Sequence, residues 1–162
     1  MKKVLSVLLS ICMMSLLFGC SAEPKEQSAT YVLTEEEAGV FTMTDTQTLR
    51  AKGDEVYEIL ETTTLEFAEL DKATLEMLVA YYDAPVANMQ AAAPEGVEVS
   101  SAYEGNVYTL VMNLYLEHAD IKALMDGGYL LGLTEEDQEA ITYISYKRTC
   151  EGLKASGYTL KD

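Results

Sequence analysis

Tryptophan is absent, phenylalanine occurs three times, and histidine occurs once, as His118. With one histidine and three cysteines the chain has no His/Cys cluster at the spacing of a zinc site. A papain-like pair would have to join Cys150 to His118, and no local signature of such an enzyme surrounds either residue. A serine nucleophile needs a base and a sharp turn to present it, and no G-x-S-x-G occurs. Neither kind of Gly-rich phosphate loop is present. Basic residues are also scarce, 11 against 27 acidic ones. That balance argues against nucleic acid, whose phosphates demand basic surface, and against direct binding of anionic lipid head groups. No cofactor is implied.

What the chain does have begins at its first residues. Lys2 and Lys3 precede an apolar run from Val4 to Phe18, and Gly19 and Cys20 follow. Two lysines, an apolar core and a small-residue exit make a secretory signal. The run is about 15 residues, short of the roughly 20 that a spanning helix needs at about 1.5 Å of rise each. Leu17, Gly19 and Cys20 resemble a lipobox, with Cys20 the residue to be acylated. The alternatives are an uncleaved apolar anchor and secretion without lipid. The expected layout is a signal over 1–19, a flexible tether over 20–29 that contains Pro24, and one domain over 30–162. Without residues 1–19 the chain loses two lysines and no acid, leaving nine basic against 27 acidic residues, or −18. Such charge keeps an exported domain soluble. Cys12 leaves with the signal and Cys20 carries lipid, so Cys150 has no intrachain partner, and the fold rests on its core.

The spacing of apolar residues predicts the elements. Tyr31-Val32-Leu33 reads as strand and Glu35-Glu36-Glu37-Ala38-Gly39 as a turn. Phe41, Met43 and Leu49 share one parity and the threonines between them the other, a strand with one buried face. Lys52-Gly53-Asp54 turns the chain, and Glu55 to Phe67 returns, with Tyr57, Ile59, Leu65 and Phe67 on one side. Leu75, Leu78, Val79 and Tyr82 fall at helical spacing behind the cap Asp71. Pro85 is expected to kink or end that helix near Asp83, with Val86 to Ala92 as a candidate for its resumption. A second hairpin, Val97 to Tyr103 and Val107 to Glu117, leads through Asp120 to a short helix. The order hairpin, acidic cap, helix thus occurs twice, a weak internal echo. Thr134 opens a helical turn, Ile141 to Ile144 reads as strand, and Ser145 caps a last helix. The expected class is α+β, a two-layer sandwich of mostly antiparallel sheet with helices on one face.

Candidate sites are few. Glu35, Glu36 and Glu37, and Glu135, Glu136 and Asp137, are acidic clusters able to hold a hard cation loosely, although neither follows the order of a calcium loop. Their simpler role is a solvated turn. Eleven tyrosines suit half-buried strands and also surfaces that bind.

The mature layout resembles the YehR-like lipoproteins, small bacterial lipoproteins with a domain of unknown function. The matching features are Cys20, Tyr31-Val32-Leu33, the Lys52-Gly53-Asp54 turn, the run Thr62–Thr64, and Tyr143-Ile144-Ser145 leading to Gly157-Tyr158. The resemblance spans about Thr30 to Leu160. It implies a lipid-anchored, two-layered α+β domain without assigned chemistry, and it carries over no catalytic residue. The expected function is a non-enzymatic binding or interaction module on the extracytoplasmic face of the cell membrane, held by lipid on Cys20, with an envelope protein, a glycan or a cation as partner. A carboxylate-dependent hydrolase and a structural envelope lipoprotein are the rivals. A deep cleft with two convergent acids would favour the hydrolase, and a flat sheet face would favour binding.

Overall fold

The computed structural model describes residues 24–130 and 142–161. Its elements are β1 (Glu26–Glu37), β2 (Phe41–Lys52), β3 (Glu55–Phe67), α1 (Lys72–Ala92), β4 (Val97–Glu104), β5 (Val107–Tyr115), α2 (Ile121–Asp126), α3 (Tyr146–Ala155) and β6 (Thr159–Leu160). The strands form one six-stranded sheet in the order β4-β5-β3-β2-β1-β6, antiparallel throughout. Threonine fills β2 and β3 because β-branched side chains pack well on a pleat and lose χ1 freedom in a helix.

Each described helix begins where a short side chain takes up orphan amides. Asp71 accepts from Ala73 and Thr74, both at 3.0 Å. Asp120 accepts from Lys122 at 2.9 Å and Ala123 at 3.2 Å. Ser145 accepts from Arg148 at 3.2 Å. A long-range partner joins Ser145: the Asp54 carboxylate accepts from the Ser145 hydroxyl and the Lys147 amide, fixing α3 to the β2–β3 turn. These bonds hold the Asp54 carboxyl below its ordinary value. The pattern ββα does occur twice, as β2-β3-α1 and β4-β5-α2. Gly96 closes the approach to the second hairpin at φ 86°, where a Cβ would meet the Tyr115 carbonyl oxygen at 2.7 Å.

The core lies between the sheet and the helices, on one sheet face alone. One cluster joins Tyr31, Leu49, Val56, Ile59, Leu114 and Leu124, and the other joins Leu65, Phe67 and Tyr108 under α1. The expected two-layer α+β architecture is therefore present.

Five local expectations are corrected. Strand β1 starts at Glu26, inside the stretch 20–29 expected to be a flexible tether, because Glu26 to Ala29 pair with Leu49 to Lys52. Glu35, Glu36 and Glu37 lie in β1 and pair with Met43, Thr42 and Phe41, so the turn is shifted to residues 38–40. Val56 is buried in place of Tyr57, because the pairing of β2 with β3 shifts register between Arg50 and Ala51 and reverses the parity there. Of the two outcomes expected at Pro85, ending the helix is ruled out, because Pro85 lies inside a helix of 21 residues that includes Val86 to Ala92. It removes one backbone donor, but both flanks are held. Before it, Tyr82 packs on Phe67 and Tyr108, and Asp83 accepts from Tyr108 and Ser101. After it, Val86 is buried, the Met89 carbonyl accepts from Tyr129, and Gln90 donates to the Val99 carbonyl of the edge strand. Ile141 lies outside the described residues, and among the described residues around Ile144 there is a single bridge, Glu55 to Ser145, in place of a strand. The helical turn expected at Thr134 lies outside the described residues.

Candidate functional site

Among the described residues, the expected site residues do not come together. Cys20, Glu135, Glu136 and Asp137 lie outside the described residues. Glu35, Glu36 and Glu37 are exposed and alternate between the two sides of β1, so their carboxylates diverge. Among the described residues no three acidic, His or Cys side chains form a group able to hold a metal ion. His118 is exposed in the turn between β5 and α2. Cys150 is buried against Tyr31 and Tyr146. The adjacent Cys150 thiol, and then burial, push the Tyr31 hydroxyl up to about 12.

Two acids that the sequence did not single out converge on the helix-facing side. Asp45 is 5 % exposed and accepts from Thr63 at 3.1 Å, from the Tyr158 hydroxyl, and from Gln47 at 3.4 Å. Glu61 pairs in register with Gln47, one position along the sheet from Asp45. Burial, and then the charge of Asp45, push the Glu61 carboxyl up to about 7. Burial also raises the Tyr158 hydroxyl, as do its bond to Asp45 and the nearby charges. This polar row separates the two apolar clusters. Its signal in the sequence was faint: Asp45 and Gln47 interrupt the parity of Phe41, Met43 and Leu49, and Glu61 and Thr63 interrupt that of Ile59 and Leu65.

A pair of carboxylates with one raised value is the raw material of acid–base catalysis. Here the pair lines neither groove found on the surface. One groove, of about 540 Å³, runs between β1 and α3 past Tyr31, Tyr146, Lys147 and Lys154. Its acid Asp54 is committed to the start of α3. The other, of about 350 Å³, lies beside Ala102, Glu104, Val107 and Thr109.

The opposite sheet face contributes no side chain to either apolar cluster. Pairing aligns its residues in rows across four strands. Thr34, Thr44, Thr64 and Thr109 form one row. Val32, Thr46, Thr62 and Val111 form the next. Thr30, Thr48, Leu60 and Asn113 form the third. None of these twelve residues is charged, in a chain with 38 charged residues among 162. Neighbouring hydroxyls meet within the grid, Thr30 to Thr48 at 3.0 Å, and Thr64 donates to the Thr44 carbonyl at 3.3 Å. Asn113 Oδ1 has no hydrogen-bond partner among the described residues. Beyond the third row, Arg50 pairs with Glu58 at 2.8 Å, and Tyr115 stands beside them, 41 % exposed. Beyond the first row lie Glu36, Glu66 and Glu104. The face is thus a hydroxyl and methyl surface between two charged rims.

No known family profile matches the chain, and no curated protein matches it. Two solved structures are similar to it. The NMR structure of the E. coli YehR protein is 22 % identical and superposes with a TM-score of 0.61, over 86 % of this chain and 92 % of that one. The NMR structure of a protein from Streptococcus pneumoniae TIGR4 is 13 % identical, with a TM-score of 0.56 over 85 % of this chain and 86 % of that one. At these identities the likeness extends to architecture, and the chain has a YehR-like fold.

Proposed function

We propose that the protein is a lipid-anchored, extracytoplasmic binding protein without enzymatic activity, and that it binds through the open sheet face. The observation that carries this reading is the uncharged grid on four strands, left uncovered by α1, α2 and α3. A solvated face of so acidic a chain would be expected to carry charge. Binding surfaces, by contrast, are depleted of charge at their centre and charged at their rim. The hydrolase reading has one observation in its favour, the Asp45–Glu61 pair. Asp45 of that pair is 5 % exposed, and neither acid lines either of the two grooves.

The anchor part of the proposal is tested at Cys20. Acylation through two or three chains holds a protein stably, at about 0.8 kcal/mol per buried CH₂. Cys20→Ala is expected to abolish fatty-acid labelling and to release the protein from membranes or leave its precursor uncleaved. Label that persists in this variant would refute the anchor.

The binding part is tested by capture from a detergent-solubilised native envelope. Thr62→Lys places a charge at the centre of the grid and is expected to abolish whatever the unmodified protein retains, with circular dichroism unchanged. Equal retention by both would remove the open face as the binding surface.

A further inference from the structure

Resting on the reading of the open face as the binding surface, we propose that its ligand is an uncharged glycan strand, laid flat across β1, β2, β3 and β5 with one sugar ring against Tyr115. Three observations on the face point to this chemistry. First, twelve aligned residues carry no charge, so nothing there recognises a phosphate, a carboxylate or an ammonium group. Secondly, the polar groups are hydroxyls and one amide. Each hydroxyl both donates and accepts, which suits a partner whose own groups are hydroxyls. Thirdly, Tyr115 presents 41 % of its surface at the end of the grid, and its hydroxyl reaches Glu98 at 3.4 Å, which tethers the ring. An aromatic ring tethered at its polar tip offers an apolar body on which a sugar ring can stack.

The shape agrees. Strands about 4.8 Å apart, with same-face residues about 6.8 Å apart, make a broad surface, twisted like any sheet, with the smaller groove at its Thr109 edge. An extended polymer can follow such a surface, whereas a compact small molecule needs a concave site that buries most of its surface. A second copy of this chain is the less suited occupant, because two copies of the exported form, at −18 each, repel each other and bring Glu36, Glu66 and Glu104 into the approach.

The test uses isotope-labelled protein titrated with two probes, a hexamer of N-acetylglucosamine and a hexamer of glucose, each to roughly 1 mM, where a millimolar Kd gives half saturation. The expected result is amide shifts centred on Thr46, Thr62 and Asn113 with at least one probe. Shifts with the aminosugar alone identify a wall-backbone glycan, and shifts with both identify a hydroxyl surface indifferent to the acetamido group. Tyr115→Ala and Thr62→Lys are each expected to weaken the response by about tenfold, the scale of one aromatic contact. Circular dichroism reports whether each variant is folded, and Thr62→Lys keeps the test decisive if Tyr115→Ala is not. No shift with either probe, or shifts confined to residues off this face, would overturn the inference. If the glycans fail while Thr62→Lys still abolishes capture from the envelope, the ligand class falls and the binding face stands. If both fail, the binding face falls as well.

Discussion

Leu114→Ala is expected to destabilise the protein by about 2–5 kcal/mol, through lost burial together with the cavity left behind. Leu114 is 1 % exposed on β5, where it pairs with Ile59 of β3 on one side and Val97 of β4 on the other. It belongs to the larger apolar cluster and lies where sheet and helices meet. Its neighbours are rows of a paired sheet, which cannot collapse inward without breaking register. The effect should therefore fall well above that of a surface substitution, about ±0.5 kcal/mol. Denaturant melts measure it. A midpoint shift of surface size would place Leu114 on the wrong face.

Stability is expected to fall as pH rises from about 5 to 8, by about 1–3 kcal/mol, with Glu61 responsible. Its carboxyl moves from 4.5 to about 7 in the fold, because burial and the charge of Asp45 both oppose ionisation. The folded protein therefore holds a proton over a range in which the unfolded chain has released it. This contribution is fully present below 4.5 and is lost as pH rises through 7. The rise from 4.5 to about 7, at about 1.4 kcal/mol per unit of pH, is worth about 3.5 kcal/mol in full, of which the range from pH 5 to 8 captures only part. Ionised Glu61 then faces Asp45 across the row, with Tyr158 and Gln47 the polar groups beside them. In acid the slope reverses. Asp54, Asp71 and Glu117 are held below their ordinary values by hydrogen bonds and, for Glu117, by Lys52. Their stabilisation is lost as pH falls through those lowered values. Optimum stability is therefore expected on the acid side of neutral. Glu61→Gln should flatten the limb between pH 5 and 8 and raise stability at pH 8. Melts that strengthen with pH over that range, or a Glu61→Gln variant that keeps the slope, would show that Glu61 is not the group.

The two predictions differ in how far the sequence alone could have led to them. Leu114 was legible, because Tyr108, Leu110, Met112, Leu114 and Leu116 alternate, and alternation is a property of the local chain. The same holds for the caps Asp71, Asp120 and Ser145, whose partners lie two or three residues away. Glu61 was not legible as a titrating group. Its raised value depends on Asp45, sixteen positions earlier, and on the cover above both.

The sequence by itself determined the class, the strands of the hairpins β2–β3 and β4–β5, the starts of the helices and the sidedness of β2 and β5, all of which follow from periodicity and short-range hydrogen bonding. Only the tertiary structure decided the register. The shift between Arg50 and Ala51 exchanged Tyr57 for Val56 in the core. Contacts from β3, β4 and β5 carried α1 through Pro85. Cross-strand pairing brought threonines far apart in the chain, Thr34, Thr64 and Thr109 among them, into one uncharged row. Strand order and register are set by the joint burial of many side chains at once, and no window of neighbouring residues contains that information.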